Sequence, residues 1–125
     1  MGMELAVEFR GDHVHVDLTP EFKGEPDRRE EFWGMLRKIC EEHDCKRVLV
    51  EGYVPRGERA PADVVAAGER TAMVPNLWLA FHLEDFVASE SSELFEAVAA
   101  SKGVRVKFFS TTEGALNWLR NNAPR

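Results

Sequence analysis

"KRVLVEGYVPRGERAPADVVAAGERTAM" spans residues 46–73, and its reading decides the fold. The stretch 46–54 is a short, continuous apolar run, the mark of a strand buried on both faces in the middle of a sheet. A loop follows. Pro61 then suits the first turn of a helix running to about Met73, and Pro75 stops what comes after it. A buried strand, a loop and a helix form one half of a parallel crossover unit.

Upstream, the period is two. Residues 4–9 put Leu5, Val7 and Phe9 on one face, and residues 13–18 put Val14, Val16 and Leu18 against His13, His15 and Asp17. "RGD" between them, with Gly11 at its centre, makes a β-hairpin. Pro20, Gly24 and Pro26 break the chain over 19–27. A helix follows to His43, with Phe32, Leu36, Ile39 and Cys40 as its apolar stripe and Asp27 with Glu30 at capping-box spacing.

Downstream, 77–83 is the next strand. A third helix falls within 85–101, with Phe86, Leu94, Phe95 and Val98 turned inward and Gly103 just past its end. Residues 104–109 are the last strand, and "STTE" (110–113) caps a final helix carrying Ala115, Leu116 and Leu119. The order is β-β-α-β-α-β-α-β-α: an α/β fold with a five-stranded mixed sheet and four helices. No linker or internal repeat divides the chain, so residues 1–125 are expected to form one domain.

The 125 residues are 44% hydrophobic and 30% charged, enough for a core without disulfides or metals. A net charge of −6 argues against nucleic acid and anionic membranes as partners. "MGMELAVEF" at the start has no secretory pattern, and Ala6 stands where a myristoylation signal needs Ser or Thr. No apolar run has the length of a membrane helix, so the expected location is the cytoplasm. The two cysteines there are expected to be reduced. "CEEHDC", with Cys40, His43 and Cys45, lacks the second ligand pair of a structural zinc site. No metal and no cofactor are assigned.

The loop over 52–61 offers Gly52, Tyr53, Arg56, Gly57 and Arg59 near a helix N-terminus, features of an anion cradle or a protein-docking loop. Pro61 has no N–H to give, Asp63 already answers the helix dipole, and Glu58 offsets one arginine. The P-loop pattern is absent. His13 and His15 share a strand face with Asp17, but no nucleophile accompanies them; that face reads as partly exposed. Trp78 and His82 share one face of their strand, opposite Leu79, Phe81 and Leu83. Arg105, Lys107 and Phe109 alternate in the same way. The sheet therefore has one apolar and one mixed face. The mixed face, or Trp33 beside its helix stripe, could serve as a dimer contact or line an apolar pocket, against the plainer reading of core packing.

The element order, closed by "VKFFSTTEGALNWLR", resembles the SpoIIAA-like family. That family carries STAS/SEC14-like domains related to the anti-sigma-factor antagonists. Ala115, Trp118 and Leu119 in "TEGALNWL" match the family's closing helix. The resemblance implies a small non-enzymatic module that docks a protein partner, pairs with itself as a homodimer, or holds a small apolar or anionic ligand. The phospho-switched members carry a serine in the loop opening the helix after the third strand. Residues 52–70 here contain neither Ser nor Thr, so that switch is not carried over. The binding residues expected are Tyr53, Arg56, Gly57, Arg59, Trp78 and His82. The leading expectation is a regulatory module that docks or self-associates. The alternative is a small-molecule or lipid-binding protein with an apolar pocket between sheet and helices.

Overall fold

A computed structural model describes residues 5–18, 26–53, 61–84, 87 and 89–123. Strands β1 (Leu5–Phe9) and β2 (Val14–Leu18) form the antiparallel hairpin. Gly11 turns it at φ +92°, a conformation that favours glycine. Helix α1 (Pro26–His43) follows, then β3 (Arg47–Tyr53), α2 (Pro61–Arg70), a 3₁₀ turn (Thr71–Met73) and β4 (Trp78–Glu84). Helix α3 (Glu90–Ser101), β5 (Arg105–Phe108) and α4 (Thr112–Asn122) complete the order. The strands lie in sequence order, β1-β2-β3-β4-β5, and every pairing after the hairpin is parallel. The α/β class, strand count and helix count expected from the sequence are all found. The 46–54 run does supply the central strand, over Arg47–Tyr53.

Sequential order has a consequence. Right-handed crossovers that always step the same way place their helices on the same side of the sheet. On that side Val14, Val16, Val48, Val50 and Leu79 pack with Phe32, Trp33, Leu36 and Cys40 of α1 and Ala99 of α3 in one large core. Phe81 meets Phe95 of α3 edge to face. Helix α2 packs on α3 at Gly68, where an added Cβ would lie 2.8 Å from Val98. Among the described residues, the opposite face has α4 alone. Its core is small: Leu49, Ala80, Ala115 and Leu119, flanked by Trp78, Phe109, Leu116 and Trp118.

The helix ends follow local chemistry. Asp44 at φ +47° stops α1, and the Cys45 amide returns to the Cys40 carbonyl. Ser89 caps α3 in a reciprocal box with Ser92, so the helix occupies the latter part of the predicted 85–101 span. Gly103 follows it at φ +84°, as its position predicts. Thr111, not Ser110, caps α4, through the amide of Gly114. Trp33 is buried against Phe32 in the α1 core, which removes it as a surface contact. The Asp27–Glu30 capping box and Phe86 lie outside the described residues. Among the described residues, no helix is long and apolar enough to cross a membrane.

Candidate functional site

A single carboxylate interrupts the apolar run of the central strand. Glu51 of β3 lies beside Asp17 of β2 and His82 of β4 in register, with His15 one pleat back on β2. All four share the face that α4 covers. Glu51 Oε1 meets His15 Nε2 at 2.8 Å, and Oε2 meets His82 Nδ1 at 2.8 Å. Thr112, at the start of α4, donates its hydroxyl to the same Oε2. Its Oγ1 also lies 3.3 Å from His82 Nδ1.

This arrangement fixes protons. An ionised carboxylate only accepts, so His15 carries its proton on Nε2 and His82 on Nδ1. Burial pushes the Glu51 carboxyl up, but the hydrogen bonds from Thr112, His82 and His15 together outweigh it and hold the group down at about 2. A base that weak takes no proton at neutral pH. Nor does it activate the Thr112 hydroxyl as a nucleophile. The cluster is well suited to fastening the N-terminus of α4 to the sheet.

The other end of α4 is fastened separately. Arg47, almost fully buried, donates from Nη2 to the carbonyls of Ala123 at 2.9 Å and Arg120 at 3.4 Å. A cation at a helix C-terminus satisfies the orphan carbonyls and the dipole together. Arg120 Nε in turn donates to Asp12 Oδ2 at 2.6 Å, while Asp12 Oδ1 meets His13 Nδ1 at 2.6 Å. Arg120 first and His13 second hold the Asp12 carboxyl down at about 2.

These contacts correct the reading of the β2 histidines. His13 and His15 are buried, not partly exposed. Their carboxylate partners are Asp12 and Glu51, whereas Asp17 points to solvent. Trp78 and His82 do share a face. Trp78 packs on Trp118 at 5.3 Å between ring centroids, and His82 joins the Glu51 cluster. Tyr53 closes β3, and its side chain, with Arg56, Gly57 and Arg59, lies outside the described residues. Glu51, Thr112 and Arg47 escaped sequence reading. The one available signal was a lone carboxylate inside a strand read as buried on both faces.

Both cysteines are buried and unpaired. Burial, then the neighbouring Cys45, pushes the Cys40 thiol up to about 12, so it is inert as a nucleophile. Among the described residues, no group of three or more His, Cys, Asp or Glu side chains is arranged to hold a metal ion.

The chain matches no family model, no curated protein and no solved structure.

A second feature faces solvent. Strand β5 ends the sheet, and a shallow groove of about 420 Å³ runs along it, between Ala97 and Ala100 of α3 on one side and Trp118 of α4 on the other. Arg105 lies over the Trp78 ring at 5.6 Å and Lys107 over the Phe109 ring at 5.5 Å. Those contacts steady two exposed cations against half-buried aromatics. Glu93 and Glu96 line the α3 bank.

Proposed function

We propose that the protein is a non-catalytic interaction module of the SpoIIAA-like, STAS/SEC14-like type that docks another protein along β5. The observation that carries this reading is the open groove along the outer edge of Arg105–Lys107, with steadied cations and Trp118 at its border. Rigid aromatics and arginines are the groups that protein interfaces favour. Two further points support it. After the initial hairpin the sheet winds in sequence order through parallel βα crossovers. The most concentrated titratable cluster spends its acceptors and hydroxyl internally. The test is capture from cells with the wild-type chain, with Arg105→Glu/Lys107→Glu, and with Lys38→Glu on the far side as control. Partners lost only with the β5 variant support docking there. An unchanged partner set removes β5 as the docking surface.

A second reading, a small-molecule or lipid carrier, is favoured by His82. It stands toward the carboxyl end of β4, where open α/β sheets bind ligands, and its side chain is 26% exposed. Native mass spectrometry tests it: bound mass released on denaturation in the wild type, and absent from His82→Phe, would support this reading over docking.

A further inference from the structure

We propose that the partner segment is an extended strand with carboxylates at alternate positions and a small apolar residue between them, added to the sheet along β5. This rests on the docking reading above and gives it a chemistry.

The backbone supplies the first argument. Arg105 N–H donates to the Leu77 carbonyl at 2.9 Å and Phe109 N–H to the Phe81 carbonyl at 2.7 Å. Amide and carbonyl of one residue point the same way in a parallel ladder, and successive residues alternate. Val106 therefore turns its amide and carbonyl outward, into the groove. Such an edge takes an added strand through main-chain hydrogen bonds.

The side chains choose the strand. Arg105 and Lys107 stand two residues apart on one face, roughly 6.6 Å along the strand. Alternate side chains of an added strand have the same spacing, so two carboxylates meet two cations. The intervening residue falls on the α3 side, against Ala97 and Ala100, where the space suits a small apolar group. Glu93 and Glu96 on that bank repel a carboxylate there. The Glu96 carboxyl is already raised, by burial first and by Glu93 second, against an opposing pull from Lys107.

A second copy fits poorly. Antiparallel pairing about a two-fold axis at Val106 would set Arg105 opposite Lys107 of the other copy, and parallel pairing would set like residues opposite one another. Like charges directly opposite destabilise a ladder. Basic residues on a short edge strand are a known guard against self-pairing. The same two residues admit an acidic strand, so attraction and exclusion share one device.

The experiment uses the full chain and two labelled peptides, one centred on Glu-Val-Glu and one on Lys-Val-Lys, followed by fluorescence anisotropy. The wild type is expected to bind the acidic peptide about tenfold more tightly. Arg105→Glu/Lys107→Glu is expected to invert that preference. Lys107→Gln, a milder change at an exposed position, is expected to weaken acidic binding a few-fold, should the double variant fold poorly. Binding of neither peptide, equal binding of both, or a preference unchanged by the variants overturns the inference. So does a dimer, seen by sedimentation, that the charge reversal dissociates. If the β5 variant loses its cellular partners but the peptides show no charge preference, the acidic-strand inference falls while docking stands. If the cellular partners persist, docking at β5 falls with it.

Discussion

The two faces of the sheet are held by different physics. The α1/α3 face is covered by successive crossover helices and buries aliphatic and aromatic side chains in one large cluster. The α4 face has one helix and a small apolar centre, with a polar fastening at each end of that helix. Winding direction explains the asymmetry: consecutive right-handed crossovers crowd one face and leave the last helix to cover the other. A face too thinly covered to rely on apolar burial alone tolerates charges at its margins, provided each finds partners. Glu51 and Arg47 are those charges.

The comparison can be broken by substitution. Leu36 on α1 and Leu119 on α4 are both fully buried. Leu36→Ala should cost about 4 kcal/mol and Leu119→Ala about 2–3 kcal/mol, because the thin face can close around the cavity more easily. Urea unfolding measures both, and a larger loss at Leu119 would break the asymmetry.

Glu51→Ala should cost about 2–3 kcal/mol, since it strands three donors beneath α4. The ionised carboxylate also links stability to pH. Its folded value of about 2 lies below its ordinary 4.5, so its contribution is complete above about pH 4.5 and is lost as pH falls toward 2. Asp12, brought from 3.8 to about 2, acts in the same direction, over a window that opens lower, at about pH 3.8. Acid titration followed by circular dichroism should therefore show stability falling below about pH 4.5.

Gly68→Ala forces a methyl onto Val98 where α2 crosses α3. The strain should exceed the gain in helix propensity, leaving a loss of about 1–2 kcal/mol in thermal unfolding. The smallest effect belongs to the surface of α1. Arg37 Nε meets Glu41 at 2.9 Å with both side chains exposed, so Arg37→Ala should change stability by less than about 0.5 kcal/mol. A larger change would mean that the α1 side also depends on polar ties.

Most of the fold was legible because it is written locally. Period-two alternation marked β1 and β2, a continuous apolar run marked β3, and Gly103 marked the end of α3. The cap of α4 was placed within 110–113, and only backbone geometry selects Thr111 over the chemically similar Ser110. The polar site was far less legible. Glu51 stands 36 residues from His15 and 31 from His82, and they meet only because β2, β3 and β4 pair in one register. A shift of one residue in either ladder would turn each histidine to the opposite face. The role of Arg47 depends on where α4 ends, which lies 73 residues away at Arg120.

The most direct test is unfolding of the wild type and Glu51→Gln side by side, from about pH 5 to about 2. Asp12 titrates alike in both proteins, so the difference between them isolates the Glu51 carboxylate. If Glu51 fastens α4 as an ionised group, the wild-type advantage shrinks steadily as pH falls through this window. A gap that stays constant or widens on acidification would contradict that claim.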